Sequence, residues 1–279
     1  MSKRKGKLGF RGPGGSPGRP GDRVGGRPRP GPQPLWLFGV HAVMAALANP
    51  NRRPERLLTT PEAAQTWGQR LREERHPAHA GLSLQTVQRR DIDAVLPEGS
   101  VHQGLALSTA PLGQPGLEEI FAADPPDAAG RRVVVLLDQV TDPHNVGAVL
   151  RSAAAFGALA VVALDKGAPE ESGTLAKAAS GALEVVPYIS VVNLARSLDA
   201  LKEAGFWCLG LAGEAEHSLA ESRPGAAVAL VLGAEGSGLR RLTRERCDLL
   251  VKLPTRPPID SLNVSNAAAV ALYELLGRG

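Results

Sequence analysis

The amino-acid sequence predicts an α/β fold built on a parallel sheet. From residue 131 onward, short apolar runs alternate with stretches of helical periodicity, which is the pattern of strand–helix–strand units. The run 132–138 (RVVVLLD) is almost wholly β-branched and leucine, as expected for a strand that is buried on both faces. Polar residues that favour helix starts, Asn145 and the group from Asp260 to Asn266, come just before alanine-rich helical stretches.

A basic tail stands ahead of any predicted strand. Residues 1–34 contain ten glycines, seven prolines and nine Lys or Arg against one acid, a net charge of +8, so the rest of the chain carries −4. This composition cannot bury enough apolar surface to offset the entropy of ordering, and we predict a disordered tail. Its role stays open between a solubilising linker and a loose, salt-sensitive tether for RNA phosphates.

Residues 35–112 predict a small α/β unit of their own. Its strands and helices alternate in the order strand 35–38, helix 40–48, strand 55–60, helix 61–75, strand 82–87, helix 89–96 and strand 104–112. A Gly- and Pro-rich linker with one short helical patch follows at 113–130, and its composition suggests a loose attachment.

The segment 131–279 supplies the parallel sheet. After the strand 132–138 the pattern continues as helix 144–156, strand 158–164, helix 172–180, strand 183–189, helix 193–204, strand 206–212, strand 226–233, helix 238–244, strand 249–253 and a last helix, 265–276.

Composition excludes several functional classes. No apolar run approaches the length of a membrane span and no secretory signal is present, so we predict a cytoplasmic protein without membrane contact. Cys208 and Cys247 each adjoin an apolar run and are expected to be free thiols, buried rather than joined in a disulfide. No ligand spacing of the C-x-x-C or H-E-x-x-H kind occurs, which predicts that no metal is bound.

Three motifs carry the functional prediction. They read N-x-G-x-x-x-R…F-G, then G-x-E-G-x-G-L after a strand, then S-L-N-V-S before an alanine-rich helix. Their residues are Asn145, Gly147, Arg151, Phe156 and Gly157 in the first, Gly233, Glu235, Gly236 and Gly238 in the second, and Ser261 to Ser265 with Tyr273 and Glu274 in the third. The three motifs occur in this order over about half of the chain, which is far more specific than any one alone.

Together these motifs resemble those of the SpoU (TrmH-like) RNA ribose 2′-O-methyltransferases of the SPOUT superfamily. The resemblance implies a C-terminal trefoil knot, a homodimer and S-adenosylmethionine as cofactor. The unit 35–112 resembles the L30e-like RNA substrate-binding domain that precedes the catalytic domain in many of these enzymes, with matching residues 38–43 and 102–104. His41 and His102 within that match are expected to be structural rather than RNA contacts.

The resemblance also implies a site. It assigns catalysis to Asn145, Arg151, Glu235, Ser261 and Asn263, and cofactor binding to Gly233, Leu253 and Leu262. Family models have proposed the arginine as general base. Arginine is effectively never deprotonated in proteins, so we interpret Arg151 as a cation that holds the phosphate and lowers the pKa of the hydroxyl. Proton acceptance then stays open between water and the substrate phosphate, and Glu235 is expected to orient Asn145 and Arg151.

The function that this resemblance implies is methylation of a ribose 2′-hydroxyl in structured RNA. The front unit favours a guanosine of 23S rRNA over tRNA, because minimal tRNA-modifying relatives often lack it. A tRNA methyltransferase remains the alternative within the class. A non-catalytic RNA-binding assembly factor is the alternative of another class, and the intact set of catalytic residues argues against it.

The alanine-rich helices predict self-association. The stretches 145–156 and 265–276 carry few charges on any face, and one sheet cannot cover both completely. A second copy is therefore the expected cover, with the front unit as the alternative. On this prediction, residues 131–279 alone stay dimeric, and Ala269→Glu or Ala271→Glu weakens both the dimer and cofactor binding.

Overall fold

The computed structural model describes residues 34–123 and 130–277, which lie in one compact unit that begins at Pro34. The predicted basic tail falls outside these residues, apart from Pro34. Two sheets divide the described chain into an N-terminal part, 34–112, and a C-terminal part, 130–277. In these two described stretches, no helix is long and apolar enough to cross a membrane.

The N-terminal part is a four-stranded sheet with helices between its strands. Its elements are β1 (Leu35–Phe38), α1 (Val40–Ala48), β2 (Pro54–Thr59), α2 (Pro61–Glu73), β3 (Ser83–Thr86), α3 (Arg89–Asp93) and β4 (Leu105–Thr109). The strand order is β1-β4-β2-β3, in which β4 runs antiparallel to both of its neighbours and β2 pairs with β3 in parallel. The alternation predicted from the sequence is present in the same order.

The C-terminal part is a seven-stranded sheet in which all described pairs are parallel. Its strands are β5 (Arg132–Asp138), β6 (Ala160–Leu164), β7 (Tyr188–Val191), β8 (Trp207–Leu211), β9 (His217–Ser218), β10 (Ala227–Gly233) and β11 (Leu249–Lys252), in the order β7-β6-β5-β10-β8-β11-β9. Residues 133–137 of β5 are at most 1% exposed, as expected for a central strand with both faces covered. The predicted α/β fold with a parallel sheet is confirmed.

Helices cover both faces of this sheet. They are α4 (Leu117–Ala123), which precedes the sheet, α5 (Pro143–Phe156), α6 (Gly173–Ala179), α7 (Leu194–Glu203), α8 (Arg241–Arg246) and α9 (Val264–Leu276). Buried side chains of both parts belong to one core cluster, which includes Leu37 and Leu47 as well as Val135 and Leu272.

Two boundaries differ from the sequence prediction. The strand predicted at 183–189 begins only at Tyr188, because residues 182–184 form a 3₁₀ turn and Pro187, which has no backbone N–H, precedes the strand. Asp142, not Asn145, caps α5 by accepting a bond from the His144 N–H, with Pro143 in the first turn. Asn145 therefore lies inside the first turn of the helix, where its side chain can serve another purpose.

The helix α5 packs between α6 and α9. Gly147 makes the contact with α6 close, because a Cβ at this position would lie 2.8 Å from the Ala179 nitrogen and would overlap the Ala178 side chain. On the other flank, Phe156 meets the ring of Tyr273 edge-on, with 5.9 Å between the centroids. Ala271 in α9 is fully buried, whereas Val270 and Tyr273 are about half exposed.

The two parts pack tightly against each other, contrary to the loose attachment expected from the linker. α6 lies against β1 and α1 of the N-terminal part. Arg52, from the loop before β2, is only 2% exposed and pairs with Glu171 and Glu184 of the C-terminal part. The attachment depends on these contacts and not on the linker, so linker composition was a poor guide to it.

Candidate active site

The three sequence motifs meet at the carboxyl end of the parallel sheet. The Glu235 Oε1 atom accepts one hydrogen bond from the Asn145 side-chain amide, at 3.1 Å, and one from the Asn263 amide, at 2.5 Å. The Asn263 amide also donates to Asn145 Oδ1 at 3.1 Å. One residue from each motif thus takes part in a single polar cluster, although 118 positions separate Asn145 from Asn263.

Asn263 is held in place by its own helix. As the N-cap of α9, its Oδ1 atom accepts from the Ser265 backbone N–H at 2.9 Å and from the Ser265 hydroxyl at 2.6 Å. Since the oxygen is committed to the cap, the amide nitrogen must point toward Glu235 and Asn145. The polar residues before α9 therefore fix the Asn263 side chain as well as starting a helix.

Glu235 lies on a tight glycine-rich loop that follows β10. Ala234 and Gly238 form an isolated bridge, and Gly236 and Gly238 have φ angles of 78° and 64°, a region that favours glycine. A Cβ at Gly233 would lie 2.5 Å from the Leu239 nitrogen, so no side chain fits where the loop closes on itself. The glycines of this motif therefore allow the loop to approach its own backbone closely.

A buried carboxylate that the sequence prediction missed holds the far end of this loop. Asp138, at the end of β5, is fully buried and lies opposite Gly233 in the register with β10. Its Oδ2 atom accepts from the Arg240 backbone N–H at 2.9 Å, and its Oδ1 atom lies 2.6 Å from Arg240 Nε. An aspartate that ends a wholly apolar strand was the available sequence signal, because a buried charge requires a partner.

A cavity of about 1030 Å³ opens beside the polar cluster. It is lined by all three residues predicted to bind a cofactor, Gly233, Leu253 and Leu262, and by the predicted catalytic residues Glu235, Ser261 and Asn263. Asn145 does not line it but bonds directly to Glu235 and Asn263, which do. The structure thus brings together seven of the eight predicted site residues.

Arg151 is the exception among the predicted site residues. It is exposed on α5, six residues beyond Asn145, which corresponds to about 9 Å along a helix axis. It does not line the cavity. Glu235 was expected to orient both Asn145 and Arg151, but within 34–123 and 130–277 its side-chain partners are Asn145 and Asn263. Arg151 therefore stands beside the site as an exposed cation.

The rim of the cavity carries a second ion pair that the motifs did not indicate. The Arg244 guanidinium contacts the Glu214 carboxylate, and both residues line the cavity. The hydrogen bond from Arg244 lowers the pKa of Glu214 below its usual value. With Glu235 and Asp260, the lining has three acids against one arginine, so the cavity favours a cationic ligand.

Three of the remaining titratable groups that the sequence singled out, His102, Cys208 and Cys247, are buried or partly buried, whereas His41 is exposed. His102 is fully buried, its Nδ1 atom accepts from the Gly104 N–H at 3.0 Å, and its Nε2 atom lies 3.2 Å from Asp93 Oδ1. Cys208 is buried and Cys247 partly buried, and burial raises the pKa of both thiols to about 12. Among the described residues, no group of His, Cys, Asp or Glu is arranged to hold a metal ion.

Two family models match the chain. The model of the SpoU rRNA methylase family covers residues 132–273, and a model of RNA 2′-O ribose methyltransferase substrate binding covers residues 36–115. The chain belongs to the SpoU rRNA methylase family. The resemblance noted in the sequence motifs is therefore confirmed.

Relatives and solved structures agree with this membership. The chain is 41% identical over 243 residues to a 23S rRNA (guanosine-2′-O-)-methyltransferase RlmB of Vibrio cholerae, covering 85% of this chain and 94% of the relative. It is 42% identical over 240 residues to the RlmB of Xylella fastidiosa, covering 86% and 94%. The SpoU methyltransferase AviRb from Streptomyces viridochromogenes, solved with the cofactor AdoMet, shares the fold with a TM-score of 0.71 at 21% identity, covering 87% and 89%.

Proposed function

We propose that the protein transfers a methyl group from S-adenosylmethionine to the ribose 2′-hydroxyl of a guanosine in 23S rRNA. The observation that carries this proposal is the cluster of Glu235, Asn145 and Asn263 at the edge of the cavity. It joins the three motifs of a methyltransferase family, and the relatives that bear the activity in their names align over nearly their whole length. Ribosomal RNA modification also implies that the protein acts in the cytoplasm.

The cavity fits the cofactor in size and in charge. Binding sites for ligands of this size range from about 300 to 1,000 Å³, and this cavity is near the upper end. Leu232, Leu239 and Leu253 offer apolar surface for an adenine, and the acidic lining suits a sulfonium cation. When bound, the cofactor supplies an electrophilic methyl group. Leu262 and the backbone of Gly233 are the residues we assign to holding it.

The residues of the chain would position the ribose and stabilise charge. Glu235 and the capped Asn263 fix the Asn145 amide, which keeps one N–H to bind a hydroxyl of a ribose at the cavity edge. Ser261 adds a hydroxyl on the same wall. Arg151 stays protonated, holds the adjacent phosphate and favours ionisation of the 2′-hydroxyl. The proton is then taken up by water or by the substrate phosphate.

Three features of the architecture belong to the same proposal. Membership of the SpoU rRNA methylase family supports a trefoil knot in the part that contains the parallel sheet. The match to a substrate-binding model supports an L30e-like RNA-binding domain at 35–112, with a linker at 113–130 and a catalytic domain at 131–279. The basic, disordered tail at 1–34 lies outside the described residues apart from Pro34, and it remains a proposal from composition.

We propose a homodimer in which the outer face of α9 is covered. Val270 and Tyr273 are 47% and 51% exposed on this helix, and Ile259 and Leu262 are 61% and 40% exposed on the loop before it. Large apolar side chains grouped around a functional loop are typical of a contact surface. A second copy seated there would lie beside the cofactor cavity, which Leu262 lines.

The decisive experiment maps ribose methylation in a strain that lacks the gene. We expect one guanosine of 23S rRNA to lose its 2′-O-methyl group and to regain it when the wild-type gene is restored. A methyl group lost from tRNA instead would replace the rRNA assignment with the tRNA alternative. Ribosome-assembly defects with every methyl group retained would favour a non-catalytic factor. If a gene that carries Glu235→Gln restores methylation fully, the polar cluster is not needed for catalysis.

A further inference from the structure

A charged cluster is buried where the two parts of the molecule meet. The side chain of Arg52 is fully buried, and its guanidinium contacts two carboxylates of the C-terminal part. Nη1 lies 2.5 Å from Glu171 Oε1, and Nη2 lies 2.7 Å from Glu184 Oε1, while Nε donates to Glu184 Oε2 at 2.9 Å. Every nitrogen of the guanidinium thus has a carboxylate partner from across the boundary.

Neighbouring polar groups complete this cluster. Asn49 of the N-terminal part donates to Glu184 Oε2 at 2.8 Å, and the backbone N–H of Leu112 donates to Glu171 Oε2 at 2.9 Å. Burial alone would lower the pKa of Arg52, but the bonds and charges of Glu184 and Glu171 outweigh it, and the pKa is raised. The charge of Arg52 is therefore permanent, and separating the two parts would leave it without its partners.

Two glycines bring the backbones together at the same boundary. A Cβ on Gly173, at the start of α6, would lie 2.6 Å from the Phe38 ring and would overlap the Trp36 carbonyl oxygen. A Cβ on Gly181 would lie 2.8 Å from the Ala45 side chain. Because one obstacle is backbone and the others are packed side chains, neither position has room for alanine without a shift of one part relative to the other.

The contact continues from this boundary to the site. The same helix α6 that meets Trp36 and Phe38 also meets α5 at Gly147, where a Cβ would lie 2.8 Å from the Ala179 nitrogen. α5 in turn carries Asn145 and Arg151. Two successive close contacts of backbone therefore connect the N-terminal part with the residues assigned to the ribose and its phosphate.

We infer that Arg52, Glu171, Glu184, Gly173 and Gly181, here called the junction, are positioning residues that hold the N-terminal part at a fixed place relative to the active site. This inference rests on the proposed function. RNA bound to the N-terminal part is then held at a set distance from the cavity, and the junction selects RNAs whose target ribose lies at that distance. A flexible attachment would have to lose freedom on binding, which weakens RNA affinity without altering the chemistry.

The test compares two chemically unrelated changes in the full-length protein. Arg52→Met removes the buried charge, and Gly173→Ala inserts a methyl group between the two parts. The controls are Arg246→Met, which loses an exposed pair with Asp199, and Gly68→Ala, whose added Cβ would have no neighbour closer than 3.6 Å. Methylation of 23S rRNA transcript and calorimetric binding of S-adenosylmethionine are measured for all four.

We expect both junction variants to raise the KM for RNA at least tenfold, with kcat at saturating RNA and cofactor Kd within twofold of wild type. The controls should stay near wild type in all three quantities. A folded junction variant with an unchanged KM would overturn the inference, as would a KM increase matched by an equal loss of cofactor affinity. Should one variant fail to fold, the other decides alone.

A failure of the proposed function is distinguishable from a failure of this inference. Wild-type protein that leaves the transcript unmethylated would count against the function and not against the junction. RNA affinity, measured by filter binding without cofactor, then replaces KM as the readout. A tenfold loss in the junction variants alone still supports the inference, and equal affinity in variants and controls still overturns it.

Discussion

The helix α5 has one neighbour on each flank, and the two neighbours are covered in different ways. On one flank, α6 is covered by the N-terminal part of the same chain, and Arg52 at that boundary is only 2% exposed. On the α9 flank, Val270 and Tyr273 remain 47% and 51% exposed. The first surface is completed within the chain, whereas the second leaves apolar side chains about half exposed in the described residues.

The chemistry of the two surfaces differs accordingly. The α6 side is closed by glycines and by ionic groups that cannot be left exposed to an apolar partner or left unpaired. The α9 side has apolar groups of moderate size, which can be either hydrated or covered at modest cost. A permanent contact within the chain would have the ionic, closely packed character of the α6 side, and a contact between two copies would have the apolar character of the α9 side. The following experiments distinguish these two kinds of contact.

The largest expected effect concerns Arg151, which is exposed on α5. On the role proposed for it, Arg151→Ala should lower kcat by about 10²–10³, or about 2.7–4 kcal/mol, because the variant removes the positive charge assigned to the substrate phosphate. Since Arg151 does not line the cavity, the Kd for S-adenosylhomocysteine should stay near wild type. Arg196→Ala, an exposed arginine on α7, is the control for both calorimetry and turnover. A collapse of cofactor binding would show that Arg151 is misassigned.

The next effect concerns the closeness of α5 to α6. Gly147→Ala should lower the free energy of unfolding by about 1–3 kcal/mol, because the added methyl group overlaps Ala178 and the adjacent backbone. Gly68→Ala in α2 should instead raise it by up to about 1 kcal/mol through helix propensity, since the new Cβ has room. Urea unfolding of both variants measures the difference. An equal change in the free energy of unfolding for the two variants would mean that α5 and α6 can move apart freely.

Much of this architecture could be predicted because it depends on local sequence patterns. The strand 132–138 and the start of α9 follow from an apolar run and from capping residues, and the resemblance carried by the three motifs placed seven of eight site residues at one cavity or cluster. Asp138 and Arg240 were missed, although together they hold the glycine-rich loop. Their relationship depends on the register of β5 against β10, which no local pattern reveals.

The junction was mispredicted for a related reason. The glycine and proline content of a linker predicts the flexibility of the linker alone. The attachment between the two parts is made by Arg52 and Glu184, which are 132 positions apart. In sequence, Arg52 is one arginine among many, and only its burial distinguishes it. Ala271 was proposed as an interface position because it is small and lies in an alanine-rich helix, but it is fully buried within the chain.

The correction to Ala271 changes the test of self-association. Ala271→Glu would bury a charge and report on folding, so Val270→Glu is the better variant. It should raise the dimer dissociation constant at least about tenfold, about 1.4 kcal/mol. Val192→Glu, at a valine that is 87% exposed after β7, is the matched control. Sedimentation must use the full chain, because residues 131–279 alone would also expose the α6 face. Equal dissociation constants for both variants would leave the α9 face without a role in assembly.

The smallest expected effect is a pH dependence of the free energy of unfolding that arises on the α6 side. Burial lowers the pKa of His102, and the charges of Arg89 and Lys177, the latter from α6, act in the same direction against the attraction of Asp93. The neutral ring is also required by geometry, since Nδ1 accepts from the Gly104 N–H and a proton there would break that bond.

The sign of this dependence follows from the lowered pKa. The unfolded chain binds the proton near pH 6.5, above the pKa of the folded state, so the contribution to stability is complete above about pH 6.5 and is lost as the pH falls through the folded value. Wild type should therefore lose more unfolding free energy between pH 8 and pH 5 than His102→Gln, whose amide can accept from Gly104 but does not titrate. Urea midpoints at the two pH values measure this, with exposed His217→Gln as control.

The dissociation constant of the dimer should be the same for His102→Gln and wild type at both pH values, because only the α6 side carries the titrating group. A shift in that constant would mean that the two flanks of α5 are coupled and that their separation into a permanent and an associating surface is wrong.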